Sequence, residues 1–410
     1  MGKFILLVSA LLLLSASQNA RAQVQYTVTD LGTLRVGSVS HASGINNSGQ
    51  VVGGSATIGN SYPHAFLYIG GSMTYVGSTD PLAKSVAWGI NNVGQVVGET
   101  GSTGLGGGGQ AFLYSGGSLQ VIATASGGDS SIATGINDSG QVAGFAFNSG
   151  NSSYDAFLFS GGSMQDLGAG PSPYNFGSFA YGINNSGQVV GEFSTGSSYP
   201  SGFGTRHAFL YSGGSMLDLG TLSGGTSSDA NGINNLGQVV GWADVGSGAW
   251  HAFLYDGGTM QDLGTLSGDD SSVAQAINDR GQVVGYAYNS TGSSAPHAFL
   301  YSGGSMMDLN NLIVPGSGWT LEEATGINDS GQICGYGMSP PVYGVVEEHA
   351  FLLTPTPEPS TFVLLGAGAI GLLAYTWRRR ALRPLGAALM LITLSPRKTN
   401  GTRPPTTARR

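Results

Sequence analysis

A period of about 45 residues constrains this chain more than any other feature. The pattern Gly182-Ile-Asn-Asn-Ser-Gly-Gln-Val-Val-Gly191 is followed by His207-Ala-Phe-Leu-Tyr-Ser-Gly-Gly214 and Met216-Leu-Asp-Leu-Gly-Thr-Leu222, and it recurs from end to end. The isoleucines of the first unit fall at Ile45, Ile90, Ile136, Ile183, Ile233, Ile277 and Ile327, spaced by 44 to 50 residues. The phenylalanines of the second fall at Phe66, Phe112, Phe157, Phe209, Phe253, Phe299 and Phe351. A unit this short cannot bury its own apolar face, so its copies must stack.

Each unit contains four short strands: Ala-x-Gly-Ile-Asn, Gln-Val-Val-Gly, His-Ala-Phe-Leu-Tyr and Met-x-Asp-Leu-Gly. Asn-Asn-Ser-Gly or Asn-Asp-Ser-Gly joins the first two, with glycine free to take the positive φ of a tight turn. Four strands at this period are the dimensions of a propeller blade. The chain also begins with an orphan copy of the fourth strand, Tyr26-Thr-Val-Thr-Asp-Leu-Gly-Thr-Leu34, while the seventh repeat stops at His349-Ala-Phe-Leu-Leu353 without one. A displaced strand is what a ring needs to zip its ends together. The expected fold is an all-β, seven-bladed propeller of four-stranded blades over residues 23–354, closed by the N-terminal strand. The competing architecture is an open β-solenoid.

The flanks carry an address. Lys3, the apolar run Phe4 to Leu14 and Ala20-Arg-Ala22 have the layout of a signal peptide over residues 1–22. Thr354-Pro-Thr-Pro-Glu-Pro-Ser360 breaks the fold, and residues 361–377 form an apolar run just long enough for a transmembrane helix. Arg378, Arg379 and Arg380 follow it, and residues 381–410 are expected to be a disordered basic tail. Between Gln23 and Thr356 only Arg35, Lys84, Arg206 and Arg280 stand against 22 acids, a formal balance of −18. Such a body repels phosphate backbones, so nucleic acid is not an expected partner. Cys334 is the only cysteine, so the fold holds by packing without an internal disulfide.

Two resemblances rest on these residues. Pro357-Glu-Pro359, one apolar helix and the arginine cluster resemble a PEP-CTERM sorting signal. That resemblance implies an exosortase as partner in the inner membrane of a Gram-negative bacterium, processing near Pro357, Glu358 and Pro359, and release to the surface or the exopolysaccharide matrix. The His-Ala-Phe units over most of residues 26–353 resemble the HAF-repeat extracellular proteins, which implies export and repetition but no activity.

Chemistry is sparse. His64, His207, His251, His297 and His349 begin the same strand in five repeats, the pattern of a strand-end hydrogen-bonding group. Cys334 replaces a core valine. Gly104-Leu-Gly-Gly-Gly-Gly109 matches a dinucleotide fingerprint in letters only, with no helix after it. Asp269-Asp270, Glu322-Glu323 and Glu347-Glu348 are neighbours in sequence, which places them on opposite faces of a strand. Asn137-Asp-Ser-Gly140, Asn278-Asp-Arg-Gly281 and Asn328-Asp-Ser-Gly331 offer oxygens to calcium, but turn chemistry explains them. No other cofactor is expected.

The departure from symmetry lies on the first strand, where the seven repeats carry Ser43, Trp88, Thr134, Tyr181, Asn231, Gln275 and Thr325 between alanine and glycine (alanine in both places at Gln275). The position before that alanine adds His41, Asp229 and Glu323. Aromatic and amide groups around one mouth suit a sugar. The expected function is therefore a non-enzymatic surface or matrix protein with polysaccharide as a candidate partner. The alternatives are a glycan-active enzyme using Asp229 and Glu323, and an architectural protein crosslinked by calcium.

Overall fold

The computed structural model describes residues 24–356 apart from 35–38, 58–59, 78–83, 102–108, 123–129, 150–152, 171–176, 197–204, 293–294 and 342–343, together with 371–377. The expected signal peptide, the sorting residues Pro357–Pro359 and Arg378–Arg380, and the basic tail lie outside the described residues.

Among the described residues, strands form seven four-stranded sheets. Six are uninterrupted in sequence; in blade 4 they are Ser178–Ile183, Val189–Ser194, Arg206–Ser212 and Ser215–Gly220, from inner to outer. In the seventh, the inner strands Thr320–Ile327, Ile333–Met338 and Glu348–Pro355 are completed by Tyr26–Gly32, antiparallel to the last of them, with Tyr26 opposite Pro355 and Asp30 opposite Phe351. The array is therefore a closed ring and not a solenoid, and the displaced strand is its clasp.

The inner strands stack by the small residues the sequence places there. A Cβ on Gly44, Gly89 or Gly182 would lie 3.1–3.2 Å from a carbonyl oxygen of the next blade. Between blades, each gap is filled by one apolar layer. In the first, Val52, Ala65 and Leu67 of blade 1 meet Ala87, Val96 and Phe112 of blade 2. All seven phenylalanines of His-Ala-Phe are buried, and truncating one to alanine costs about 3–5 kcal/mol in such a core.

A further tie joins blades. The hydroxyls of Ser40, Ser85, Ser131, Ser178, Ser228 and Ser272 accept the alanine N–H of His-Ala-Phe, or of its equivalent, in the preceding blade at 2.8–3.0 Å. In blade 7 this place is taken by Glu322, which is buried.

Of the second unit, Pro357–Arg410, the described residues are a short helix at 371–377. No helix among the described residues is long and apolar enough to cross a membrane. The transmembrane helix expected at 361–377 is thus seen only as that seven-residue piece, the remainder lying outside the described residues.

Candidate functional site

A β-bulge in every inner strand organises the channel. In blade 5, Ala230 pairs with Gly241 and Gly232 with Val240, leaving Asn231 without a partner residue. The same shift falls at Ser43, Trp88, Thr134, Tyr181, Gln275 and Thr325. The bulge turns a backbone carbonyl inward against the glycine that ends Gln-Val-Val-Gly. A Cβ on Gly241 would lie 1.8 Å from the Asp229 carbonyl, so only glycine fits.

The variable residues sit at these bulges, and several are already engaged. Thr134 Oγ1 donates to Ala180 O at 2.9 Å, Thr325 Oγ1 to Ala42 O at 3.0 Å, and Asn231 Nδ2 to Ala274 O at 2.8 Å, each in the next blade. Tyr181 and Gln275 reach carboxylates. Ser43 is half-buried, and Trp88 is 41% exposed.

Two rings of hydrogen bonds run through the turns that follow the inner strands. Asn46 Nδ2 donates to Asn91 O, and the same 3.0 Å bond passes through Asn137, Asn184, Asn234, Asn278 and Asn328 back to Asn46. Outside it, the backbone N–H of Asn47, Asn92, Asp138, Asn185, Asn235, Asp279 and Asp329 each donates to the side-chain oxygen of the next member, at 2.8–2.9 Å. The rings and the isoleucines before them surround a cavity of about 150 Å³. Asp138, offered above to calcium, is taken by the amides of Asn92 and Asn185 at 3.0 and 2.9 Å. Among the described residues no three His, Cys, Asp or Glu side chains group as a metal set.

Toward the start of the inner strands lies a belt that the sequence reading half missed. The residue before each inner-strand alanine pairs across the strand with the residue after each Gln-Val-Val-Gly glycine: His41 with Gly54, Val86 with Glu99, Ile132 with Phe145, Phe179 with Glu192, Asp229 with Trp242, Val273 with Tyr286 and Glu323 with Tyr336. Side chains also meet from blade to blade. Phe145 lies edge-on to Phe179 at 4.9 Å, and Tyr336 stacks on His41 at 4.2 Å. The missed half, Glu99, Phe145, Glu192, Trp242, Tyr286 and Tyr336, was legible as the variable letter after a constant glycine.

Three polar sites break this belt, the first of them in blade 2, where Lys84 Nζ lies 3.1 Å from Glu99 Oε1. Across blades 4 and 5, Arg206 Nε lies 2.9 Å from Glu192 Oε2 and Nη1 donates to Oε1 at 3.3 Å, while the Tyr181 hydroxyl donates to Oε1 at 3.2 Å. The guanidinium sits 4.9 Å over the Trp242 ring, which stacks on Trp250 at 4.4 Å. Asp229 is 6% exposed, and its Oδ1 has no hydrogen-bond partner among the described residues. Burial and the neighbouring Glu192 charge push the Asp229 carboxyl well above the usual range, against the pull of Arg206 and the Trp242 N–H. Burial likewise raises Glu192, opposed by Arg206.

Across blades 6, 7 and 1, Glu323 accepts from the Tyr336 hydroxyl and from Gln275 Nε2, the latter at 2.8 Å. His41 Nε2 lies 3.2 Å from Glu348. Burial raises Glu323 despite its two donors. Asp229 and Glu323, which the sequence offered as one pair, thus belong to separate groups, and the carboxyl that interacts with Asp229 is Glu192.

The histidines of His-Ala-Phe lie elsewhere, on the third strand. His207 and His251 hold Asp218 and Asp262 of their own outer strands at 2.9 Å, and His349 holds Asp30 of the clasp at 3.1 Å. These three are hydrogen-bonding groups near the start of their strands, whereas His297 lies 3.3 Å from Asp269 and His64 sits inside the longer strand Asn60–Ile69. Cys334 is fully buried, and its thiol is pushed up to about 12 by that burial.

No curated protein matches the chain in sequence. Among solved structures, the β-propeller domain of the Trilobed protease from Pyrococcus furiosus is similar at TM-score 0.51 and 11% identity, over 76% of this chain and 93% of that one. The acylaminoacyl peptidase of Pyrococcus horikoshii aligns at 0.49 and 11% identity, covering 82% of this chain and 54% of that one. The Aleuria aurantia lectin aligns at 0.34 and 12%, covering 82% and 97%. At such identities the likeness concerns the fold alone, and the Pyrococcus furiosus domain has an open velcro where this ring is clasped. Residues 355–380 match the PEP-CTERM protein-sorting motif, which marks an exported protein held transiently at the membrane and sorted to the surface by an exosortase.

Proposed function

We propose that this protein is a non-enzymatic binding component of the surface or exopolysaccharide matrix of a Gram-negative bacterium, taking polysaccharide at the belted end of its propeller. The observation that carries the reading is the run of aromatic side chains on that belt, the part-buried Phe145, Phe179, Tyr286 and Tyr336 and the buried Trp242 beneath Arg206, interleaved with Glu192, Asp229 and Glu323. Rings give pyranose C–H faces a surface to stack on, and carboxyl, amide and phenol groups serve hydroxyls. The sorting motif and the resemblance to HAF-repeat proteins agree with that destination. The glycan-active alternative draws on the same carboxyls and is separated by product: an enzyme shortens the polymer, a binding protein returns it intact.

The test is co-sedimentation of the full chain with the exopolysaccharide of the producing cells, with and without calcium. Binding should weaken about tenfold or more in Trp242→Ala and Tyr336→Ala, the usual loss for an aromatic anchor. Absence of binding in both conditions overturns the reading, and binding seen only with calcium favours the crosslinked alternative.

A further inference from the structure

Blades 5 and 7 carry an acid at the same place on the belt, and the two are served differently. Glu323 has both oxygens met, by Tyr336 and Gln275. Asp229 has the Trp242 N–H for one oxygen, while Oδ1, shut off from water, has no partner among the described residues. A buried carboxyl oxygen without a donor is costly, so the group must take a proton or a donor from outside.

The surroundings favour one kind of donor. Asp229 and Glu192 are two carboxyls that share the influence of one guanidinium, and that guanidinium is bonded to Glu192. Its position 4.9 Å over the Trp242 ring shows that a cation fits there against an aromatic face. Carboxylate, ring and phenol together are the chemistry that holds an ammonium group. The body around them, with four basic residues against 22 acids, draws cations and repels anionic sugars.

Resting on the sugar-binding reading above, we propose that Asp229, Glu192, Tyr181 and Trp242 form a subsite for the ammonium group of an amino sugar. Arg206 is its movable wall. That side chain is 40% exposed, and its outward swing opens Asp229 to a ligand cation that takes the place over Trp242. The subsite therefore selects a de-N-acetylated unit over its N-acetylated form, whose neutral amide offers no charge to the carboxyl pair.

The experiment titrates the full chain, in mild detergent, with oligomers of glucosamine, N-acetylglucosamine and glucose. Glucosamine oligomers should bind about tenfold tighter than the other two, and Asp229→Asn should abolish that preference while retaining the weaker common affinity. Arg206→Ala should strengthen glucosamine binding by about tenfold, since the ligand no longer competes with the guanidinium. A damaged fold does not give a gain, so this variant guards against Asp229→Asn failing to fold. Equal affinity for all three oligomers overturns the ammonium subsite and leaves the sugar reading standing. Failure of all three to bind removes both. A preference that survives Asp229→Asn, or oligolysine competing as well as the amino sugar, assigns the effect to general surface charge and overturns the subsite.

Discussion

At the scale of single residues, the asparagine ending each inner strand works in two directions. Asn184 Oδ1 accepts the N–H groups of Ser186 and Gln188 within its own turn, while Nδ2 donates to Asn234 O in the next blade. Asn184→Ala leaves the buried Asn234 carbonyl and two part-buried N–H groups without these partners and should cost about 2–4 kcal/mol. Asn185→Ala, on the exposed outer ring, should cost about 1 kcal/mol or less. Urea unfolding of the two variants decides: equal costs would mean that the inner ring is no stronger a tie than the outer one. The turn itself was legible from Asn-Asn-Ser-Gly. The ring was not, because six of its bonds join residues 44 to 50 apart that meet only when blades stack, and the seventh joins residues 282 apart that meet only on closure. The belt was half legible for the same reason. His41, Asp229 and Glu323 stood out as polar letters in an apolar column, whereas Trp242 and Tyr336 looked like ordinary strand aromatics. Their meaning lies in the facing blade.

At the scale of elements, the clasp is the strand on which closure depends, and its polar seal is titratable. His349 Nδ1 meets both oxygens of Asp30 at 3.1 Å, and Nε2 lies 3.3 Å from Glu347. Blades 4 and 5 have the same histidine–aspartate pair, but their partners are hairpin neighbours; here the pair joins residues 319 apart. The bond to Asp30 raises His349 above its ordinary 6.5, against partial burial. Burial alone would raise Asp30, yet its bonds from His349 and the Gly32 N–H leave it below 3.8. The histidine's contribution is full below 6.5 and lost as pH rises through the raised value. The aspartate's is full above 3.8 and lost as pH falls through the lowered one. Closure is therefore firmest between those limits. Thermal unfolding should show a Tm that falls from about pH 6, just below the ordinary histidine value, to about pH 9, well above it, with a smaller fall in His349→Gln. An unchanged slope in the variant would remove His349 from the account. The clasp strand was plain in the sequence, because a copy was surplus at one end and missing at the other. The ion pair across it followed only from the register that sets Asp30 beside His349.

At the scale of the whole molecule, charge is divided more sharply than structure. The ring region carries the −18 balance, and nine of the 15 basic residues lie from Arg378 onward. That division needed no fold to be read, since it is a property of composition along the chain. It also has a physical use: an acidic body has little affinity for an anionic leaflet, whereas arginines beside an apolar segment resist translocation and stay on the cytoplasmic side. The sorting motif at 355–380 spans this boundary. Replacing Arg378, Arg379 and Arg380 together by serine should remove the hold on the cytoplasmic side. Replacing Glu358 by glutamine should instead leave the chain inserted but unprocessed. Fractionation separates the two effects. The triple variant should lose its stable membrane intermediate, and the Glu358 variant should accumulate one of undiminished length. The propeller fold should be unaffected in both, because its seven cores and its clasp lie within residues 26–355. Surface delivery at the normal level in both variants would show that the motif is not what carries this ring outward.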